Sequence, residues 1–314
     1  MTDSEQHIFY EDLVRALRAK GVICAITSGL ACVHYGIAET TKDCDLLCHP
    51  GSFPVLLNLL AETKIAGHSC HYRGNISPPL DARWHRGGWT SHFQWDAQPD
   101  ATTLDVFGHA LRESSRWQDD IAGLYAGENV VAEMKRTDRD KDWPFITSLG
   151  VVMLRARDPR GWLHLFEMDA VMEMLGEFPI PDQILLVRPV LELAKRQDPG
   201  LPHALLAERH FWQELDRLRI RICRAALRPY VRAMPRVGIS KEASLPELHL
   251  ARLACARRSK AVSSRLTSPK SALPLANLLP KISKSFGVSK RVPTWIGLPE
   301  SKVLSRVWAF IAKS

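Results

Sequence analysis

Apolar residues at the start of the chain recur at three-to-four spacing. Leu13 and Leu17, four residues apart, share one helical face and Gly21 stops the run, so the pattern predicts a helix over residues 4–20. The period then changes. Residues 22–27 (VICAIT) form an apolar run of strand length, and Ser28-Gly29 opens a short helical segment, LACVHYG, that ends at Gly36. Residues 44–48 read as the next strand and 53–63 as the next helix. Three further strands are predicted over 68–75, 90–95 and 103–107. The loop ISPPLDARWHRGG carries Pro78-Pro79 and Gly87-Gly88, which exclude regular structure across it.

From Val130 onward the pattern is helical alone, with helices predicted over 162–175, 184–195 and 203–234. Strands mixed with helices, followed by helices only, indicate an α+β domain over 1–150 and a helical domain over 151–234. Beyond Pro235 the composition shifts to Ser, Lys, Arg and scattered Pro, which makes 235–314 a basic, partly disordered extension with helices expected over 245–265 and 301–313. No internal repeat of fixed period occurs.

Length and composition agree with this division. A chain of 314 residues, 46% apolar and 24% charged, is ordinary for a globular protein, and at roughly 150 residues per domain has room for about two. No apolar run reaches membrane-spanning length. The acidic opening MTDSEQHIFYEDL lacks the apolar stretch of a secretory signal. The seven cysteines are odd in number and include no Cys-x-x-Cys pair, so buried free thiols in a reducing cytoplasm are expected rather than disulfides or a zinc site.

Charge is unevenly spread. The net +8 combines 15 Lys or Arg against three acids over 233–314 with 27 against 31 over 1–232. A basic tail on a mildly acidic body attracts phosphate, in nucleic acid or at a membrane surface.

The chemistry centres on ITSGLACVHYGIAETTKDCDLLC. Alternate residues of a strand project from one face, so Asp43 and Asp45 point at a common locus while Cys44 faces away. Two such carboxylates raise each other's pKa unless a cation lies between them, and a hard divalent ion with oxygen ligands suits the place. A third acid, Asp105, sits within the apolar strand TTLDVFG, where burial without a partner is unfavourable. On a neighbouring strand it completes a triad.

This arrangement resembles the polymerase-β-type nucleotidyltransferase superfamily: a Gly-Ser or Gly-Gly turn, a short helix, Asp-x-Asp, and a later third Asp. Here Ser28-Gly29 takes the turn position, written in the reverse order, and 13 residues separate it from Asp43. A second stretch, AEMKRTDRDKDWPFITSLG, is similar to a helix pair in the bacterial branch that contains abortive-infection toxins and antibiotic-modifying enzymes. Lys135 and the pair Lys141-Asp142 match it, whereas Trp143-Pro144 stands where that branch often has a further acid. The resemblance covers residues 22–149.

The resemblance implies an NTP substrate such as ATP, with Mg²⁺ or Mn²⁺ held by Asp43, Asp45 and Asp105. Asp43 and Asp45 would bridge two ions, and Asp105 would bind the one beside an acceptor hydroxyl that attacks the α-phosphorus. Ser28 and Gly29 would hold terminal phosphates, Lys135 would lie near them, and Lys141-Asp142 would order the site. The acceptor class stays open among RNA, protein and small molecules. Two other roles also stay open: a silent nucleotide- or RNA-binding module, and a toxin-like component with a cognate neutralising protein. RNA binding would fall to the basic extension.

Other polar residues have plain structural readings beside functional ones. Lys135 and Lys141 read equally as solvated charges on a helix. Arg73, Arg83 and Arg86 lie on or beside the Pro/Gly loop, as phosphate grips or as exposed arginines. His34 and Tyr35 suit packing. Trp84, Trp89 and Trp95 suit burial against the sheet more readily than stacking on a base.

Overall fold

The structure, a computed structural model, describes residues 3–41, 43–74, 77–86, 89–95, 101–110, 116–240 and 243–259. The expected helix over 301–313 and most of the basic extension lie outside these residues.

Period-two patterning builds the sheet. Its strands are β1 (Cys24–Thr27), β2 (Asp43–Cys48), β3 (Lys64–Ile65), β4 (His68–Tyr72), β5 (Thr90–Trp95), β6 (Thr102–Phe107), β7 (Ile121–Ala122) and β8 (Tyr125–Ala126). They form one mixed eight-stranded sheet in the order β3-β4-β5-β6-β2-β1-β8-β7. β2 runs parallel to β6 and β1 parallel to β8, while the remaining neighbours are antiparallel. The expected α+β class is observed. Helices α1 (Asp3–Ala19), α2 (Ser28–His34), α3 (Phe53–Glu62) and α4 (Ala82–Arg86) alternate with these strands.

The two sheet faces differ because the strand sequences alternate. On one, Cys44, Leu46, Leu104, Val106, Phe93 and Trp95 are all buried. Trp95 meets Phe9 of α1 ring to ring at 5.4 Å and donates Nε1–H to the Thr63 carbonyl just past α3, so these two helices close that face. Asp45, Asp105 and His92 lie on the other face in matched register. Apolar burial on one side therefore fixes the acids on the other, since a one-residue slip would invert both sets.

Helices α5 (Glu128–Met134), α6 (Trp143–Arg155), α7 (Met168–Glu177), α8 (Asp182–Val187), α9 (Leu191–Lys195), α10 (Leu201–Ala233) and α11 (Leu245–Arg258) follow. The core changes over within α6: Ile146 and Leu149 belong to the cluster beneath the sheet, and Leu154 to a helical cluster with Trp162, Met174 and Leu205. The far half of α10 returns to the sheet domain, where Leu227, Tyr230 and Met234 cluster with Trp84 and Trp89. α11 packs there too: Tyr72 Oη lies 2.8 Å from His249 Nδ1, and Arg252 donates to the Ser77 and Gly74 carbonyls at 2.7 Å each. Among the described residues, no helix is long and apolar enough to cross a membrane.

Three local expectations are corrected. The helix expected over 162–175 is instead a 3₁₀ turn, Pro159–Leu163, followed by α7, because Gly161 presses its backbone against Gly150 of α6. The helix expected over 184–195 breaks at Arg188, whose φ −133° and ψ 73° lie outside the helical region that a following proline disfavours. The Pro/Gly loop does contain regular structure, the five-residue α4, started where Asp81 Oδ1 accepts from the Arg83 backbone N–H at 2.9 Å. The two-residue strands β3, β7 and β8 are too short to show a period.

The Gly150–Gly161 contact yields a stability test. A Cβ at Gly161 would collide with the Gly150 carbonyl and the Leu154 backbone nitrogen, neither of which is free to swing aside. Gly161→Ala is expected to lower unfolding free energy by about 1–3 kcal/mol, as over-packing does. The readout is a lower urea midpoint at unchanged slope; an unchanged midpoint would contradict the close approach.

Candidate carboxylate site on the open sheet face

The site begins where β1 ends. Thr27 is buried and pairs with Asp45 across the β1–β2 ladder. The next residue, Ser28, adopts φ 57°, a left-handed conformation that disfavours a side chain by roughly 1–2 kcal/mol. Its hydroxyl hydrogen-bonds the Asp45 carboxylate, which ties the strained turn to the acid. At Gly29 a Cβ would stand 2.7 Å from Thr41 Oγ1, so only glycine lets the loop before β2 close on the turn. The Ser-Gly order thus has a local account: serine reaches the acid and glycine admits the loop.

Asp43, Asp45 and Asp105 are brought together as the strand pattern implies. Asp45 pairs with Asp105 in the parallel β2–β6 register, and Asp43 pairs with Thr103, whose Oγ1 donates to Asp43 Oδ1 at 2.7 Å. Asp43 is exposed, and Asp45 and Asp105 are half-buried. Burial and the neighbouring Asp105 charge push the Asp45 carboxyl up to about 6, against the pull of Ser28 and Lys135. The residues fit a hard divalent cation in donor type and in placement on one face, and a cation there would relieve the repulsion that raises Asp45. Among the described residues, however, no group of three or more His, Cys, Asp or Glu side chains is placed so that it could hold a metal ion.

Asp105 has protein partners that the sequence did not reveal. Its Oδ1 accepts from Arg73 Nη2 at 2.7 Å and lies 2.8 Å from His92 Nδ1. Arg73 is positioned by its own backbone, which donates to the His92 carbonyl at 2.9 Å and extends the β4–β5 ladder. Residue alternation along TSHFQW is the signal that could have found His92; Arg73 stood in the sequence as a possible phosphate grip, and its pairing with Asp105 was not legible there.

Lys135 caps the end of α5 and is 6% exposed. Its Nζ lies 3.6 Å from Asp142 Oδ1 and 5.0 Å from the centre of the Phe145 ring, and its charge acts on Asp45. Asp142 is buried and also accepts from Thr137 and Arg139. Lys135 and Asp142 are therefore a buried pair within electrostatic reach of the acids. Lys141 is exposed in the turn Asp140–Asp142, and no described contact ties it to them.

The remaining candidates have plain roles. His34 stacks on Tyr125 at 3.9 Å, and Tyr35 Oη donates to the Ala126 carbonyl. Arg83 pairs with Asp81. Trp84 packs near Tyr230, and Trp95 is fully buried. All seven cysteines are buried free thiols, and burial pushes Cys24 and Cys32 up to about 11, so they stay protonated near neutrality.

No protein-family model, curated protein or solved structure matches this chain.

The reading of the site accordingly rests on its own geometry. What that geometry offers is a cluster of oxygen donors at the mouth of a strained Ser-Gly turn, backed by one buried lysine and flanked by Arg73. Oxygen donors of this type suit a hard cation in their chemistry, and the flanking Arg73 and Lys135 suit an anion.

Proposed function

We propose that this chain is a metal-dependent nucleotidyltransferase of the polymerase-β type, moving a nucleoside monophosphate from an NTP to an acceptor hydroxyl. One observation carries the reading: Asp43, Asp45 and Asp105 share a face on adjacent parallel strands, with Asp45 directly opposite Asp105. Carboxylates that repel one another beside a strained turn are unfavourable for stability, and functional sites are where such arrangements persist.

Asp43, Asp45 and Asp105 would hold Mg²⁺ or Mn²⁺, which when bound neutralises triphosphate charge and makes an acceptor hydroxyl more acidic. Ser28 and Gly29 would receive the terminal phosphates through backbone N–H groups at the start of α2. Lys135 would stabilise charge on the phosphates from behind, its orientation fixed by Asp142. Arg73 and His92 hold Asp105 on the acceptor side. The acceptor oxygen forms its bond to the α-phosphorus as the bond to the bridging oxygen breaks. Pyrophosphate leaves with that electron pair, and the hydroxyl proton passes to Asp105 or to solvent.

The test is transfer of α-labelled NTPs, with Mg²⁺ or Mn²⁺, to RNA, total protein and aminoglycosides. Wild type should label one acceptor class, and Asp105→Asn should not. Binding of NTP with no transfer to any class would favour a silent nucleotide-binding module. Equal labelling by the variant would contradict the proposal.

A further inference from the structure

The far half of α10 carries arginines that, among the described residues, are only partly paired. Between residues 217 and 233 this helix has six arginines and no acid. Arg217 and Arg219 pair with Glu214 and Asp216 one turn back. Arg224, Arg228 and Arg232 are exposed, and among the described residues no acid pairs with them. At i, i+4 and i+8 they lie on one side of the helix, each about 6 Å further along its axis.

These three, with Arg219, form one wall of a groove of about 580 Å³ whose opposite wall includes Trp89 and His92. Three features mark it as a binding surface. Its floor is apolar, with Ile220, Cys223 and Leu227. Trp89 is 7% exposed, yet its buried Nε1–H has no acceptor among the described residues, a donor left for a ligand to satisfy. The groove also borders the carboxylate site, because His92 lines it and its Nδ1 lies 2.8 Å from Asp105 Oδ1.

We infer that this groove binds single-stranded nucleic acid and leads its terminal hydroxyl toward Asp105. The acceptor role rests on the proposed nucleotidyl transfer; the binding does not. From Arg219 to Arg232 the wall runs about 20 Å, longer than one nucleotide needs. Arginine presents a planar fork suited to phosphate, and an aromatic with an apolar floor suits bases. The same positive wall repels cationic acceptors such as aminoglycosides. Duplex grooves are not needed to explain it, since the row of cations can follow the phosphates of one strand.

The experiment is fluorescence anisotropy of the full chain with a labelled 12-nucleotide RNA, the DNA of the same sequence and a polyglutamate peptide, in EDTA without NTP. The triple variant Arg224→Gln/Arg228→Gln/Arg232→Gln changes only exposed side chains. It should bind RNA or DNA at least tenfold more weakly than wild type at about 0.1 M salt. Its dependence of log Kd on log salt should be shallower by about 2, as losing three single-strand phosphate contacts requires. Arg155→Gln, which removes an exposed arginine of α6 paired with Glu173, should bind like wild type. RNA and DNA arms reveal whether the sugar is read. The inference is overturned if the triple variant binds as wild type does, if polyglutamate binds as tightly, or if photocrosslinks map to residues 260–314 with none on α10 or Trp89. Tight nucleic-acid binding without label transfer would instead retain the groove and remove the enzymatic reading.

Discussion

Asp45→Asn is expected to lower nucleotidyl transfer by at least about 10³-fold, roughly 4 kcal/mol of transition-state stabilisation, while making the metal-free protein more stable near pH 8. The two effects share one cause. In the folded chain, desolvation of the half-buried Asp45 carboxyl and the facing Asp105 charge push it up to about 6 from the ordinary 3.8. A raised carboxyl favours folding through its protonated form. That contribution is complete below about pH 4 and disappears as pH rises through 6. Above that, the ionised group opposes folding by roughly 2–4 kcal/mol. Asparagine keeps the shape without the charge, so Tm measured without metal should rise relative to wild type at pH 8 and differ little at pH 4. Mg²⁺ or Mn²⁺ should raise the wild-type Tm at pH 8 and leave the variant's unchanged. A variant less stable than wild type at pH 8 would show that Asp45 is an ordinary structural acid.

The second large effect lies away from the site. Arg188 is 4% exposed and donates through Nε and Nη2 to Glu208, with Nη2–Oε2 at 2.7 Å. Its Nη1 donates to the Trp162 carbonyl at 2.6 Å, and its guanidinium lies 4.4 Å from the centre of the Phe166 ring. A second guanidinium, that of Arg136, already lies within electrostatic reach of it. Arg136 is buried beside His164, and burial together with the Arg136 and Arg188 charges holds that imidazole neutral, well below its usual range. Glu208→Ala would leave Arg188 charged and unpaired in this setting, at a loss of about 3–5 kcal/mol in unfolding free energy. The double variant Arg188→Met/Glu208→Leu should recover most of that loss, because an apolar pair of similar volume needs no desolvation of ions. Urea denaturation distinguishes the cases: equal losses for the single and double variants would mean that shape, rather than charge, governs the position.

The sequence made the sheet legible where burial is one-sided. β5 and β6 were readable nearly to the residue, since Phe93, Trp95, Leu104 and Val106 alternate with polar neighbours. The same alternation placed Asp43 and Asp45 on one face and made Asp105 a plausible third member. What stayed hidden depends on contacts between distant segments. Arg73 reaches Asp105 only because β4 pairs with β5. Lys135 and Asp142 match the spacing of residue types in the bacterial branch that the sequence resembles, but their burial as a pair, and the exposure of Lys141, come from how α5 meets α6. Arg136, His164, Arg188 and Glu208 sit in separate helices with no common period. The arginines of α10 stood in a helix that read as ordinary, and only its return to the sheet domain sets them opposite Trp89 and His92. The helix breaks at Gly161 and at Arg188-Pro189 were visible as residues, yet the apolar spacing around them suggested continuity.

The most direct measurement is calorimetric titration of the full chain with non-hydrolysable analogues of the four NTPs, with and without Mn²⁺, in wild type and Asp45→Asn. The account predicts that wild type binds at least one analogue, that binding needs Mn²⁺, and that Asp45→Asn loses the metal-dependent part while remaining folded. Absence of binding by folded wild type, or metal-independent binding that Asp45→Asn leaves intact, would contradict it.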